Sequence, residues 1–224
     1  MDSTLYLVLA TLVFLGIHVL PSTPLRLLAV KAIGESAYLG LFSLVSLGGL
    51  AWMAVAFKRA PVEALWPGLR LVPLLVLPFA FVLLACGLFS KNPTAVAQSG
   101  VLRHPNAARG ILRITRHPVM WAIMLWAGAH LLALGNLRSV VFFGGLLLLA
   151  AAGTTLQDAR KAKALGEDWQ RFAATTSNIP FVAVAQGRNQ VAWKEIGAWK
   201  PAAGLALFLV VLWFHPWLFG YRPY

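Results

Sequence analysis

Five histidines are the side chains of this 224-residue sequence that are best suited to chemistry. They are His18, His104, His117, His130 and His215. A neutral imidazole is a good ligand for iron, and histidine can hold a haem axially. Such a site needs two nitrogens close together, so the elements that carry the histidines decide which of them can form a pair.

The composition predicts that those elements lie in a membrane. Hydrophobic residues make up 59% of the chain and charged residues 12%, with a mean hydropathy of +0.75. Soluble domains carry roughly 25% charged residues. Since about 20 apolar residues cross the hydrocarbon core, we expect an all-α fold, a polytopic bundle of about six transmembrane helices that forms a single domain. The six apolar runs are 5–20, 37–57, 71–89, 118–134, 137–156 and 202–219.

The distribution of lysine and arginine predicts the orientation of these spans. With six spans, fourteen basic residues fall on one side and five on the other. Cytoplasmic loops carry the excess, so we expect a protein of the cytoplasmic membrane with both termini outside. The first run carries Asp2 in place of a basic leader and has no small-residue cleavage site, which favours a retained first helix.

Two features surround the fourth and fifth spans. Asn136 belongs to a Gly-Asn turn of a few residues, which predicts a tight helical hairpin. After the fifth span, segment 157–176 carries Leu165, Trp169 and Phe172 at helical spacing among charges. This pattern fits a surface-lying amphipathic helix on the cytoplasmic side and equally fits a continuation of the fifth span.

The predicted spans place two histidines at nearly the same depth. His18 lies two residues before the cytoplasmic end of the first span, and His117 directly precedes Pro118, which suits the first helical position. The two could therefore ligate one metal or porphyrin, although a helix cap or a headgroup contact explains either histidine as well. His130 lies roughly 20 Å deeper and matches His215 as a second, weaker pair, while His104 lies in a cytoplasmic loop.

The remaining composition excludes several other kinds of site. Cys86 is the single cysteine, so a disulfide within the chain, an iron–sulfur cluster and a cysteine zinc site are ruled out. The net charge of +12 comes from basic residues between apolar runs. We therefore expect membrane lipids as partners and no nucleic acid.

Several segments together resemble the NnrU family, whose relatives include the zeta-carotene isomerases of plants and cyanobacteria. They are FLGIHVLPS, the two RHP motifs at 103–105 and 116–118, GAHLLALGN and DARKAKALGEDWQRFAATTSNIPF. The likeness runs from about residue 4 to residue 219. It implies a polytopic membrane protein associated with denitrification and nitric oxide metabolism.

The same resemblance implies a b-type haem with redox-dependent ligation, coupled in the isomerase branch to isomerising a cis double bond of an apolar substrate. By position, the histidine ligands fall on His18 and His117. Arginine pairs carboxylates bidentately, so nearby arginines are candidate partners for the haem propionates, although the excess of basic residues on this side would itself place them there. They are Arg103, Arg109, Arg113 and Arg116.

Two alternatives stay open. The segments also resemble, more distantly, membrane methyltransferases, which implies S-adenosylmethionine in a cavity lined by His117, Asn136 and the 157–176 helix. The paired glutamates of those enzymes are replaced here by Gln157-Asp158-Ala159-Arg160. In the second alternative the protein is a non-catalytic scaffold for a respiratory reductase, and its histidines serve packing or capping.

Overall fold

The computed structural model describes residues 2–95, 98–104 and 106–223, and these residues form helices and no β-strand. The predicted all-α class is confirmed. The helices are α1 Ser3–Val19, α2 Leu25–Ile33, α3 Glu35–Arg59, α4 Val72–Leu88, α5 Pro118–Leu134, α6 Leu137–Ser139, α7 Gly145–Thr175, α8 Val182–Ala185, α9 Trp193–Ile196 and α10 Trp199–Phe219.

In the described part of the chain, four helical stretches are long and apolar enough to cross a membrane: Ser3–Ser22, Glu35–Arg59, Leu137–Thr175 and Trp199–Phe219. The other two predicted spans are α4 and α5, apolar helices of 17 residues each. At 1.5 Å per residue each of these is about 25 Å long, which is the short end of what spans a bilayer. The expected six spans thus correspond to four long helices and two short ones.

The stretch from Leu137 to Thr175 is one helical run with two irregularities. A π-helical turn at Val140–Gly144 joins α6 to α7. Within α7, Gly166 has φ 51° and ψ −124°, a conformation that is open only to glycine. The helix therefore continues well beyond the predicted end of the fifth span, and its direction changes at Gly166.

The chain divides into two compact units, and the first comprises residues 2–69 and 130–149. In this unit α1 packs on α3, and Leu7, Ala10, Met53 and Ala56 are fully buried between them. A Cβ on Gly49 would lie 3.1 Å from the Phe14 ring, so this glycine permits the close approach of α3 to α1.

The predicted Gly-Asn turn is present in the first unit. Gly135 has a φ of +58°, which favours glycine, and its carbonyl accepts hydrogen bonds from the backbone N–H groups of Leu65 and Trp66. The Asn136 side chain caps the next helix by accepting from the Ser139 N–H at 3.0 Å. The connector after α3 and the helix cap together fix this turn.

The second unit comprises residues 70–129 and 150–223. Here α4 packs on α10, and a Cβ on Gly204 would lie 2.6 Å from the Phe81 carbonyl oxygen, so the two backbones meet at this glycine. A second apolar cluster lies around Trp169 and Phe172, which are both buried. Its other buried members are Cys86, Leu102, Ile111, Leu112, Ile114 and Ile196.

Candidate functional site

The segment before α5 places His117 where the sequence predicted it, at the start of that helix. α5 begins at Pro118, and the His117 carbonyl accepts the first helical hydrogen bond from the Trp121 N–H at 3.0 Å. The His117 N–H donates to the Thr115 hydroxyl at 3.2 Å. His117 therefore has a capping position in the backbone, and its imidazole is directed by separate contacts.

A distant segment of the second unit holds the residues before α5 in place. The Thr115 hydroxyl donates to the Asn178 carbonyl at 2.6 Å, and the Arg116 N–H donates to the Ser177 carbonyl at 3.0 Å. The Asn178 side chain in turn donates to the Thr154 hydroxyl on α7 at 2.8 Å. These bonds tie the start of α5 to α7 and to the chain that follows it.

Asp158 of α7 is the centre of a buried polar cluster. Its Oδ1 lies 2.7 Å from Nε2 of His117, and its Oδ2 accepts from Nη2 and Nε of Arg116 at 2.5 and 2.9 Å. The His117 side chain is 0% exposed, while those of Arg116 and Asp158 are 15% and 18% exposed. Such a pair is stable only with its hydrogen bonds satisfied, and here the carboxylate accepts from both neighbours.

The two ring nitrogens of His117 differ in their partners. An ionised carboxylate only accepts hydrogen bonds, so Nε2 carries the proton that points at Asp158. Nδ1 is buried and has no hydrogen-bond partner in the described part of the chain. In the neutral imidazole Nδ1 therefore holds a free lone pair, which can accept a proton or coordinate a metal.

His18, in the first unit, shows the opposite arrangement. Its Nδ1 lies 2.8 Å from the Phe14 carbonyl, one helical turn earlier, and therefore donates to it in the neutral ring. The half-buried imidazole lies between the rings of Phe14 and Phe42, with centroids 4.2 and 5.4 Å away. Nε2 has no partner among the residues that the structure describes, so its lone pair is free.

Because His18 and His117 belong to different units, their predicted sharing of one metal or haem stays a prediction. Within residues 2–95, 98–104 and 106–223, no group of three or more His, Cys, Asp or Glu side chains is arranged to hold a metal ion. A haem held by two histidines needs only two such side chains, so the haem prediction rests on His18 and His117 alone.

Two of the four predicted propionate partners, Arg113 and Arg116, are engaged with carboxylates of the chain. Arg113 donates to Glu195 through Nε and Nη2 at 2.8 and 3.0 Å, and the Gly110 N–H donates to the same carboxylate at 2.8 Å. The Arg113 hydrogen bonds, followed by that of Gly110, lower the pKa of Glu195 to about 2. Arg116 pairs with Asp158, and the side chain of Arg103 lies outside the described residues.

The other three histidines have separate surroundings. His104 is exposed in a loop of the second unit. His130 stacks on Phe143 in the first unit at a centroid distance of 5.1 Å. His215 lies 2.8 Å through Nδ1 from the Tyr221 carbonyl in the second unit. The predicted pairing of His130 with His215 stays a prediction, as does the methyltransferase cavity, since Asn136 belongs to the first unit and His117 to the second.

The role of Asp158 was not predicted from the sequence, where this residue stands out only in the departure from the methyltransferase motif. Two signals were available. Asp158 is one of only seven acidic residues in the chain. Counted from the Gly-Asn turn, His117 is 18 residues before Gly135 and Asp158 is 22 after Asn136, so a helical hairpin brings the two to similar depth.

Comparison with known proteins assigns the family. The NnrU protein family matches the chain over residues 6–223. The chain belongs to the NnrU family. Two plant relatives of this NnrU-family chain are named 15-cis-zeta-carotene isomerase, chloroplastic. The protein of Arabidopsis thaliana is 30% identical over 181 residues, which cover 74% of this chain and 46% of the relative.

The corresponding protein of Zea mays is 37% identical over 82 residues, which cover 37% of this chain and 22% of the relative. The NnrU-family chain thus spans less than half the length of these curated relatives. No solved structure matches it at a significant level. The predicted membership of the NnrU family is confirmed.

Proposed function

We propose that this NnrU-family membrane protein binds haem b through His18 and His117 and uses it in redox-linked isomerisation of an apolar substrate. One observation carries the proposal. Each of the two histidines directs one ring nitrogen at an acceptor of the chain and keeps the lone pair of the other nitrogen free. This is the arrangement of metal-ligating histidines, whose second nitrogen donates to a carbonyl or a carboxylate.

The donor set fits the group. At His18, donation to the Phe14 carbonyl fixes the tautomer that leaves the lone pair on Nε2, and this atom would bind the metal. At His117, the carboxylate of Asp158 fixes the tautomer that leaves the Nδ1 lone pair unpartnered, and this atom would bind the metal. Arg116 keeps that carboxylate charged, because a guanidinium stays protonated in proteins. A bound haem b would supply a redox-active iron, and these residues would orient its ligands.

The substrate class follows from the relatives. Their name states that they act on a cis-configured carotene, and four helical stretches of this chain are apolar enough to lie in lipid. We propose an apolar substrate with a cis double bond, taken up from the bilayer. The link to denitrification and nitric oxide metabolism stays a prediction of the family resemblance.

We also propose that the protein lies in the cytoplasmic membrane with both termini outside. The support is the excess of lysine and arginine on one side of the predicted spans. Reporter fusions at each end test this topology. Activity of a reporter that functions only in the cytoplasm, fused to either end, would contradict it.

An absorbance spectrum of protein purified from haem-replete cells tests the haem proposal. The wild-type protein is expected to show a Soret band, and the double variant His18→Ala/His117→Ala is expected to lose it. His104→Ala and His215→Ala serve as matched controls and should keep the band. A colourless wild-type preparation, or a Soret band of full height in the double variant, refutes the proposal.

A further inference from the structure

The second unit carries a cleft of about 810 Å³ whose lining combines charge with apolar surface. Three arginines, Arg113, Arg171 and Arg188, line it together with a single carboxylate, that of Asp168. Its apolar lining includes Phe172, a member of the buried cluster around Trp169. Glu195 neutralises Arg113, and Asp168 and Glu167 neutralise Arg171, so the positive charge left over in this cleft is that of Arg188, beside apolar side chains.

The arginines of this cleft differ in how firmly they are held. Arg113 uses Nε and both terminal nitrogens on Glu195 and Asn189. Arg188 has no carboxylate partner among the described residues, and it donates through Nη1 to carbonyls at the end of α7. Arg171 pairs with Asp168 on the same helix with 68% of its side chain exposed, a kind of pair that contributes little and exchanges readily.

A second cleft, of about 610 Å³, adjoins the first because His104 lines both. It lies at the end of α4, where Leu88 and Phe89 line it and are 61% and 56% exposed. Lys91 also lines this cleft. The two clefts together run from an apolar lip at a helix end to the arginine-lined cavity.

The level of the apolar lip is marked by side chains typical of a membrane interface. Lys200 at the start of α10 donates to the Ser90 hydroxyl at 3.0 Å, and the Trp199 ring lies 5.2 Å from the Phe89 ring. Tryptophan and lysine concentrate where hydrocarbon meets headgroups. The residues beside the lip are therefore of the kinds found at the level of lipid headgroups.

From this arrangement we infer that the joined clefts bind one anionic phospholipid, with its phosphate among Arg171, Arg188 and Lys91 and its acyl chains against Leu88 and Phe89. Arginine binds phosphate oxygens bidentately. A soluble anion would use the arginines but would leave the exposed apolar lip uncovered. The inference is independent of the proposed haem.

Lipid binding to the delipidated full chain in detergent, measured by titration and native mass spectrometry, tests this site. Phosphatidylglycerol is expected to bind and phosphatidylcholine to bind at least about tenfold more weakly, the loss expected for charge-assisted hydrogen bonds. Arg171→Ala removes one such group, and Ala174→Trp fills the cleft without changing charge. Both should lower phosphatidylglycerol affinity about tenfold.

Lys163→Ala and Ala164→Trp are the matched controls, because both residues are exposed on α7 and neither lines the cleft. Unchanged affinity in these controls supports the site. An equal loss in Lys163→Ala would show general attraction of a basic surface and overturn the inference. Displacement of phosphatidylglycerol by inorganic phosphate at equal concentration would show a soluble-anion site and overturn it as well.

Discussion

Replacement of Asp158 by asparagine removes the charge at the centre of the buried cluster and keeps the shape of the side chain. Arg116 then loses its carboxylate, and His117 loses a charged acceptor for its Nε2 proton. Breaking a fully buried ion pair costs about 3–5 kcal/mol, whereas an exposed pair contributes about 0–1 kcal/mol. With Arg116 and Asp158 only 15% and 18% exposed, we expect a loss of about 2–4 kcal/mol in the free energy of unfolding.

For a chain of this length, each kcal/mol shifts the melting temperature by about 2–4 °C. Asp158→Asn should therefore lower it by roughly 5–15 °C, measured in detergent by the fluorescence of the nine tryptophans. Asp168→Asn is the matched control on the same helix. Its pair with Arg171 is exposed at 42% and 68%, so its shift should stay within about 3 °C.

A double-mutant cycle then separates the ion pair from general damage to the helix. If the pair carries the effect, Arg116→Met in the Asp158→Asn background should lose much less stability than Arg116→Met alone. Equal melting temperatures for the Asp158 and Asp168 variants, or strict additivity in the cycle, would refute the view that Asp158 is a buried partner of both neighbours.

Three further predictions follow from single contacts. If haem is bound, Asp158→Asn should weaken it about 10–100-fold in a haem titration, and unchanged affinity would exclude a supporting role. Gly204→Ala should lower the melting temperature, because its Cβ would lie 2.6 Å from the Phe81 carbonyl oxygen, whereas Gly128→Ala, with nothing within 4 Å, should not. The ion pair of Glu195 with Arg113 stabilises the fold by about 1 kcal/mol after solvent screening. The pKa of the Glu195 carboxyl is lowered from 4.5 to about 2. This stabilisation is therefore full above pH 4.5 and is lost as pH falls through 2. The stability difference between wild type and Glu195→Gln should accordingly shrink as pH falls from 4.5 through 2, and a difference that stays constant with pH would contradict the assignment.

The helices were predictable because each predicted span is a long apolar run. The run 37–57, for example, corresponds to Glu35–Arg59, where charged residues bound the helix at both ends. The short helix Leu25–Ile33 lies between the first two predicted spans and was not predicted, since nine residues are too few for a window of about 20. The sequence left two interpretations of segment 157–176 open, a surface-lying helix and a continuation of the fifth span. Both are helical, so both give the same spacing of apolar residues.

The site was predictable only in part. His117 was found because its neighbour Pro118 marks a helix start, and His18 because it ends an apolar run. The bonds of Thr115 and Arg116 to residues 177 and 178 join segments about sixty positions apart. No local pattern signals such contacts, and the role of Asp158 depends on the register of the helical hairpin.

The kink at Gly166 separates two helical segments whose rotations about the helix axis a continuous α7 would have coupled. Before it, the rotation of the helix sets where Asp158 points. After it, the helix resumes in a new direction, which places Trp169 and Phe172 in the buried apolar cluster. A residue inserted between Gly166 and Trp169 would rotate the aromatic pair out of its cluster and would also move the Trp169 ring away from the Arg116 guanidinium, which lies 6.0 Å from its centroid, so Arg116 links the two halves of this helix.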